Sequence, residues 1–221
     1  MLRWVTRSLA FGLGALVGAH LGTRFALRSV HAPTPPQMSF LLDNPIRRIY
    51  LDPARTIDFA GIHRNAYVLD AGCGSGIHVM EAANRVGPNG RVYALDIQAA
   101  MINITARRVE AEQAHNVFML LAPLERIPLP ANSIDCALMI SALSEVKERS
   151  VVLAEARRVL KPGGALVVGE DVFAPTYSRP TTTRSWLESA GFKLTGWTGN
   201  GLAYLLRFVK PVSAAHIAFG R

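Results

Sequence analysis

Three glycines at alternate positions, Gly72, Gly74 and Gly76, follow a short apolar run that contains Asp70 near its end. Glycine lets the backbone adopt positive φ, and it lets a ligand approach without meeting a Cβ atom. An amphipathic stretch over residues 77–86 comes next, and the first turn of a helix leaves backbone N–H groups that can bind a polar ligand. This strand–turn–helix pattern is typical of a loop that holds a nucleotide-like ligand.

A second acid, Asp96, ends the next apolar run, about 20 residues after Gly76. A carboxylate at this position can accept hydrogen bonds from both hydroxyl groups of a ribose. Dinucleotide oxidoreductases share this feature, so the acid alone does not identify the ligand. The Gly-x-Gly-x-Gly spacing lacks the later glycine of the usual dinucleotide fingerprint, and this difference argues against that class.

The elements that must position these residues alternate along the chain. Apolar runs predict strands at residues 67–69, 91–95, 117–121, 134–140 and 165–169. Helical patterns cover residues 77–86, 99–114, 147–160 and 183–190. Such alternation predicts an α/β fold with a parallel sheet and helices on both of its faces. Residues 192–198 and 202–209 predict a closing antiparallel pair of strands, because a Gly-Asn-Gly turn joins them.

Composition limits the function classes. The chain has 221 residues, 50% of them hydrophobic, which suits one α/β domain with an appendage. The net charge is +8, but residues 1–50 hold six arginines and a single acid, whereas the remainder is nearly balanced. We therefore predict no nucleic-acid-binding surface on the domain. Cys73 and Cys136 lack metal-ligand spacing, and neither a metal site nor a disulfide framework is predicted.

The N-terminal arm contains a run without formal charge at residues 8–23, flanked by arginines on both sides. A transmembrane helix needs about 20 apolar residues, and flanking arginines can extend a shorter run by snorkelling. We interpret the run as a single-pass membrane anchor, with the following domain in the cytoplasm. A cleaved secretory signal, a mitochondrial transit peptide in a eukaryotic source, and a buried or interfacial helix are the alternatives.

Small residues recur every four positions in this run, at Ala10, Gly14, Gly18 and Gly22. They would lie on one face of a helix, and in lipid such a face lets two helices approach closely. The arm therefore also predicts a homodimer contact through this face. A proline-rich linker follows at residues 31–36.

Two further segments make the pattern of the domain specific. The run Ile127-Pro-Leu-Pro-Ala-Asn-Ser-Ile-Asp135 leads into the fourth strand, and Arg158-Val-Leu-Lys-Pro-Gly-Gly164 ends the next helix. With the glycine loop and Asp96, they make residues 65–210 resemble the class I S-adenosylmethionine-dependent methyltransferases. The resemblance is to the small-molecule branch that includes the ubiquinone/menaquinone-biosynthesis C-methyltransferases. It implies a Rossmann-like seven-stranded sheet with an antiparallel last strand, and S-adenosyl-L-methionine as the cofactor.

The resemblance also implies roles for single residues. Asp70, Gly72, Gly74 and Gly76 would hold the amino-acid end of the cofactor, and Asp96 would bind the ribose hydroxyls. Farther along the chain, Ile97 would pack on the adenine, and Ser141 would border the methionine part and the substrate.

The chain departs from the family pattern at two places. Where relatives often have an aspartate that meets the adenine amino group, this chain has Pro123, so we expect apolar contacts there, with Leu124 as the candidate. Past the fourth strand, the histidine pair of many relatives is absent. Glu145 is the predicted acid or base, while His78 is expected on the surface of the first helical turn and Glu170 is a further candidate.

The predicted organisation is a membrane anchor at residues 1–30, a linker with two short lid-like helices at 31–61, a methyltransferase domain at 62–211 and a tail at 212–221. Arg47, Arg48 and Arg55 give the two short helices a basic face, which we interpret as solvated. A lid over the substrate or a clamp on lipid headgroups is the functional alternative.

The predicted function is methyl transfer to a small, lipophilic or membrane-associated acceptor. The resemblance supplies the reaction, and the predicted anchor suggests that the acceptor enters from the bilayer. A quinone precursor and a lipid headgroup both fit this description. The alternative function is a non-catalytic module that binds the cofactor and acts through a partner, because a ready general base is not obvious in the sequence.

Overall fold

The alternating apolar and amphipathic stretches form a seven-stranded sheet with helices on both faces in a computed structural model, which describes Gly22 and residues 45–212. The strands are β1 (Tyr67–Ala71), β2 (Arg91–Asp96), β3 (Val117–Leu121), β4 (Ile134–Ile140), β5 (Leu160–Asp171), β6 (Lys193–Gly199) and β7 (Ala203–Val209). The helices are α1 (Pro45–Tyr50), α2 (Pro53–Ala60), α3 (Ile77–Val86), α4 (Ala99–Ala111), α5 (Arg149–Val159) and α6 (Pro180–Ser189).

The strand order is β3-β2-β1-β4-β5-β7-β6. Neighbours from β3 to β5 pair in parallel, and β7 pairs antiparallel to both β5 and β6. This topology confirms the predicted seven-stranded sheet and its antiparallel last strand. The chain order reverses between β1 and β4, and the carboxyl ends of strands at such a point border a ligand-binding crevice.

Alternate residues of the strands point to two separate cores. Val68 packs in a cluster with apolar residues of α2 and α3, while Leu69 packs in a second cluster with α5 and α6. Both side chains are fully buried, as expected for a strand covered on both faces. The sheet is therefore rigidly enclosed, and the loops at its carboxyl edge are positioned by it.

Most predicted element boundaries lie within a few residues of the observed ones, but β5 is longer than predicted. It begins at Leu160 and includes the Lys161-Pro-Gly-Gly164 segment, which the sequence pattern places between the preceding helix and the strand. Gly164 explains the difference, because a Cβ atom there would lie 2.9 Å from the carbonyl oxygen of Lys161 and 3.1 Å from that of Asp135. The glycine thus lets an extended segment run close to β4.

The predicted membrane anchor, the linker at residues 31–36 and most of the small-residue face lie outside the described residues. Of that face, Gly22 is described, and it is helical and exposed. No helix among the described residues has the length and apolar character needed to cross a bilayer.

Candidate active site

The glycine loop follows β1 and packs against the segment that follows β4. Gly72 has a φ of 85°, and a Cβ atom on it would lie 2.7 Å from the Cβ of Ala142. Its backbone N–H donates to the carbonyl oxygen of Leu95 at 2.8 Å. Both the positive φ and the close approach require glycine at this position.

Gly76 shapes the loop from its other end. It is the N-terminal capping residue of α3, and a Cβ atom on it would lie 2.7 Å from Cγ2 of Thr105 on α4. Thr105 in turn donates from Oγ1 to the carbonyl oxygen of Gly74 at 2.9 Å. Gly76 does not line the cavity described below, so its observed role is to let α4 support the loop.

Asp96 ties the glycine loop to the end of β2. Its Oδ2 accepts from the backbone N–H of Gly74 at 3.0 Å, and its Oδ1 accepts from that of Gln98 at 2.9 Å. Burial raises the pKa of Asp96, and the backbone donors oppose that effect. The carboxylate therefore holds the loop and borders the cavity.

Asp70 is buried at the carboxyl end of β1, with 2% of its surface exposed. Its Oδ2 atom has no hydrogen-bond partner among residues 45–212. Burial, reinforced by the negative charge of Asp96, raises the pKa of Asp70 to about 7. A buried carboxylate without a partner is costly, so this position favours a ligand that brings a positive charge or a donor.

A cavity of about 240 Å³ lies at this edge of the sheet. Eight of the nine predicted site residues line it: Asp70, Gly72, Gly74, Asp96, Ile97, Leu124, Ser141 and Glu145. Residues as far apart in sequence as Asp70 and Glu145 are thus brought together, because β1 and β4 are neighbours in the sheet. Gly76 is the predicted residue that lies outside.

The cavity lining includes one acid, Glu125, that the sequence analysis did not name. Pro123 is exposed and does not line the cavity, whereas Leu124 and Glu125 do. Ile97, which is 56% exposed, also lines the cavity. The Glu125 carboxylate can accept a hydrogen bond from an amino group, which Pro123 cannot do through its side chain. The sequence signal that could have indicated Glu125 is its position, two residues after Pro123, where relatives often have an aspartate.

The segment after β4 begins at Ser141, which has a φ of 56°. Its backbone N–H donates to the carbonyl oxygen of Gly169 at 2.7 Å, and its Oγ donates to Oδ2 of Asp171 at 3.3 Å. Ser141 therefore connects the ends of β4 and β5 at the border of the cavity.

Arg47 on α1 is the largest departure from the sequence interpretation, which placed its side chain on a solvated face. The arginine is buried and lines the cavity. Its Nε lies 3.3 Å from Oδ2 of Asp171, and its Nη2 donates to Oγ of Ser141 at 3.2 Å. The partners lie 124 and 94 residues away in sequence, so no local pattern could have indicated them.

His78 is also buried, and the expectation that it would lie on the surface was wrong. It lines the cavity in the first turn of α3. Desolvation, with a smaller contribution from the positive charge of Arg47, lowers the pKa of His78 to about 3. The imidazole is therefore neutral near pH 7, and its Nε2 has no hydrogen-bond partner among the described residues.

The two glutamates proposed as acid or base candidates have different surroundings. Glu145 ends the short 3-10 turn Leu143–Glu145, is half-buried and lines the cavity. Glu170 is fully buried behind this turn, where its Oε2 accepts from Oγ of Ser144 at 2.9 Å. Burial raises the pKa of Glu170 to about 8. Glu170 is not part of the cavity wall, so of the two only Glu145 can meet a ligand there.

Comparison with known proteins agrees with this geometry. A family model described as a methyltransferase domain matches residues 69–168. The ubiquinone/menaquinone biosynthesis C-methyltransferase UbiE of Hahella chejuensis is 35% identical over 127 residues, which cover 57% of this chain and 49% of that protein. The demethylmenaquinone methyltransferase of Geobacillus stearothermophilus is 34% identical over 106 residues, covering 48% of this chain and 45% of that protein.

Among solved structures, a SAM dependent methyltransferase from Aquifex aeolicus superposes with a TM-score of 0.76 at 26% identity. That match covers 80% of this chain and 100% of the other. Residues 69–168 thus match a methyltransferase domain, and the fold is that of an S-adenosylmethionine-dependent methyltransferase. The chain spans about half the length of the curated relatives that it matches.

S-adenosyl-L-methionine is the cofactor of this methyltransferase domain, and the residues present fit it. The unpartnered Oδ2 of Asp70 suits the ammonium group of the methionine part. The space that a Cβ atom on Gly72 would fill lets the ligand come close to the loop. Asp96 stands where a carboxylate accepts from ribose hydroxyls.

Proposed function

We propose that this methyltransferase transfers a methyl group from S-adenosyl-L-methionine to a small, lipophilic acceptor that it meets at a membrane surface. The observation that carries the acceptor class is the position of α1. One side of this short helix lines the cavity through Arg47, while its other side exposes Ile46 and Ile49. The wall of the site is thus also an apolar surface.

Four parts of the cofactor, namely the ammonium group, the methionine chain, the ribose and the adenine, have candidate partners in the cavity. Asp70 accepts from the ammonium group, and the backbone of Gly72 and Gly74 borders the methionine part. Asp96 binds the ribose hydroxyls, and in the adjoining wall Ile97 and Leu124 contact the adenine. These assignments follow from which residues line the cavity and from the polar atoms they present.

The bound cofactor supplies an electrophilic methyl group on a sulfonium. The protein then contributes proximity and orientation, because in-line displacement requires the acceptor atom to lie behind the methyl carbon. Ser141 and Glu145 line the cavity after β4, and they border the space that we propose for the acceptor. The Glu145 carboxylate takes the proton that an acceptor loses on methylation, at whichever of its oxygen atoms faces the acceptor.

The apolar surface extends beyond α1. We define the outer apolar patch as Ile46, Ile49, Phe173 and Leu202, which are 69%, 76%, 52% and 42% exposed. Contacts among neighbours hold these residues near one another. Large contiguous exposed apolar surface in a soluble domain marks a binding site for an apolar partner or a membrane.

Three contacts connect the members of the patch. The ring of Tyr50, at the end of α1, lies 5.6 Å from that of Phe173. The backbone N–H of Val172 donates to the carbonyl oxygen of Leu202 at 2.8 Å. The side chain of Asn200 donates to the carbonyl oxygen of Tyr50 at 2.8 Å. These contacts place the four residues of the patch in one region of the surface, beside α1.

Charge supports a membrane as the partner of this patch. Arg48 and Arg55 are exposed on α1 and α2, and arginines near a membrane surface favour anionic headgroups. The chargeless run at residues 8–23 precedes α1 in the sequence. We propose that it anchors the protein in a single pass, with the domain on the cytoplasmic side and a dimer contact through the Ala10/Gly14/Gly18/Gly22 face.

The relatives suggest the acceptor chemistry. Two of them are named as a ubiquinone/menaquinone biosynthesis C-methyltransferase and a demethylmenaquinone methyltransferase. We propose a demethylated quinone-type ring as the first acceptor to test. The alternative of a non-catalytic cofactor-binding module is not favoured, because the similarities are to methyltransferases.

The test offers the purified full-length protein a demethylated isoprenoid quinol in micelles and a water-soluble hydroxylated aromatic together. Mass spectrometry should detect the methylated quinol, while the water-soluble compound should react far more slowly. Methylation of only the water-soluble compound would refute the lipophilic acceptor. Cofactor binding without turnover on either compound or on a membrane extract would instead support the non-catalytic alternative.

The outer apolar patch is tested by vesicle sedimentation. The double substitution Ile46→Ser with Ile49→Ser should lower binding to anionic vesicles by about 100-fold or more, because each buried apolar side chain contributes about 1.5–3 kcal/mol. Val151→Ser, at an exposed apolar position on α5, is the matched control and should bind like the wild type. Equal binding by the wild type and both variants would show that the outer apolar patch does not bind the membrane.

A further inference from the structure

Arg47 is a buried arginine held at two points. Its side chain is 7% exposed, and that of Asp171 is 5% exposed. Burial of a guanidinium is unfavourable unless charge and hydrogen bonds compensate it. The ion pair with Asp171 and the bond to Ser141 meet this requirement, and they fix the guanidinium at the cavity wall.

The charges around the cavity leave one group of the cofactor without an assigned partner. Asp70 and Asp96 serve the ammonium and the ribose, but the methionine part also carries a carboxylate. His78 lies nearby, yet its depressed pKa of about 3 keeps the imidazole neutral. Within the described part of the cavity, the cationic side chains are Arg47, which is buried, and Lys147, which is exposed.

Burial makes Arg47 the stronger candidate of these two cations. Charge-assisted hydrogen bonds are stronger where water is excluded. The planar guanidinium presents several N–H donors in a fixed fork, so it can hold Asp171 and Ser141 and still contact a carboxylate. Arg47 also lines the same cavity as Gly72 and Gly74 of the loop.

We propose that Arg47 binds the carboxylate of the methionine part of the cofactor, and that Asp171 and Ser141 hold its guanidinium in place for this contact. The inference deepens the proposed function, since it rests on the same cofactor site, but it does not depend on the identity of the acceptor. It also gives α1 a second role, because the helix that carries Ile46 and Ile49 of the outer apolar patch then contacts bound cofactor through Arg47.

The test compares two ligands that differ by the amino-acid part. S-adenosylhomocysteine carries the carboxylate, whereas 5′-methylthioadenosine has the adenosine and the sulfur without the amino-acid part. Titration calorimetry should show that Arg47→Met raises the Kd of S-adenosylhomocysteine by about tenfold or more. The Kd of 5′-methylthioadenosine should change by less than about twofold, because its contacts lie elsewhere.

Matched variants separate this role from a structural one. Arg48→Met, on the adjacent exposed position of α1, should leave both affinities unchanged. Asp96→Ala should weaken both ligands, because both contain the ribose. An equal loss of the two ligands in Arg47→Met would assign Arg47 to folding of the site and overturn the proposal, as would an unchanged Kd for S-adenosylhomocysteine.

If Arg47→Met does not fold, Arg47→Lys provides the same comparison. Lysine keeps the charge but loses the fixed fork, so we expect a loss of about threefold to tenfold for S-adenosylhomocysteine alone. A loss shared by the two ligands, or no loss, contradicts the proposal. Neither variant requires methyl transfer to be observed, so failure of the proposed acceptor would leave this test intact.

Discussion

The two walls of the cavity are built in different ways. On the cofactor side, the loop after β1 is fixed by backbone conformation and by backbone hydrogen bonds to Asp96. On the other side, the acceptor wall, α1 and the ends of β4 and β5 are fixed by side chains from distant parts of the chain. Asp171 holds Arg47 there, and we propose that Arg47 also reaches the cofactor carboxylate from this position.

This difference indicates which part of the fold determines cofactor binding and which part determines the choice of acceptor. Positive φ and close backbone approach demand glycine, so the cofactor wall is constrained to a few residue types. The acceptor wall can be built from many combinations of side chains, which lets one cofactor site serve different acceptors. Changes in the two walls should therefore separate cofactor binding from acceptor turnover.

The largest effect is expected from Gly72→Ala in the cofactor wall. The new Cβ atom would lie 2.7 Å from that of Ala142, at a φ of 85°. Backbone strain of about 1–3 kcal/mol adds to overpacking of about 1–3 kcal/mol. We expect a fall in unfolding free energy of about 2–6 kcal/mol and a loss of cofactor affinity of about 100-fold or more, measured by denaturant titration and calorimetry.

Gly201→Ala provides the control for this change. Gly201 has a φ of 82°, but no atom lies within 4 Å of a Cβ atom built on it. It therefore carries the conformational strain of about 1–2 kcal/mol without the clash, and cofactor affinity should not change. If both variants lost the same stability, the close packing of the loop on Ala142 would not matter.

The acceptor wall should respond differently to Glu145→Gln. Loss of a general base lowers turnover by about 100-fold or more, while the Kd of the cofactor should stay within about twofold of the wild type. Steady-state kinetics and calorimetry on the same protein provide both values. The control is Glu148→Gln, at an exposed position, and equal turnover by the two variants would exclude a proton-transfer role for Glu145.

A smaller effect on the cofactor wall is expected from Asp96→Ala. Charge-assisted bonds to the ribose contribute about 1.5–3 kcal/mol, so the Kd of the cofactor should rise by about tenfold or more. The variant also frees the backbone N–H groups of Gly74 and Gln98, which should loosen the loop. An unchanged Kd would refute the ribose assignment.

The cofactor wall was largely predictable from the sequence, and the reason is physical. The spacing of Gly72, Gly74 and Gly76, and the acids that end β1 and β2, leave a local pattern because each acts within its own strand–loop unit. The structure places Asp70 and Asp96 at the cavity as expected. Gly76 does not line the cavity. A glycine is needed there because α4 packs closely against it, and the spacing of the glycines alone does not indicate this.

The cavity residues whose positions depend on contacts between distant segments were much less predictable. The burial of Arg47 depends on Asp171, 124 residues later in the chain, and the basic pattern of the short helices resembled a solvated face. His78 resembled a surface residue because its burial comes from neighbouring segments rather than from its own helix. Glu125 was missed since it follows the expected adenine position by two residues.

Asp70, in the cofactor wall, should make the stability of the folded protein depend on pH. Its pKa of about 7 in the folded protein lies above the ordinary carboxyl value of about 4. As pH rises from about 4 to about 7, the unfolded chain loses this proton while the folded protein keeps it, so the contribution of Asp70 to stability falls across that window. Asp70→Asn should remove this part of the pH dependence in denaturant titrations.

The most direct test of the cofactor site is the proton balance of S-adenosyl-L-methionine binding at pH 6. Asp70 is mostly protonated there, and an ammonium group beside it should lower its pKa and expel the proton. Calorimetry in buffers of different ionisation enthalpy should detect release of about one proton per site in the wild type. It should detect almost none in Asp70→Asn. Cofactor binding without proton release in the wild type, or no binding, would contradict the account.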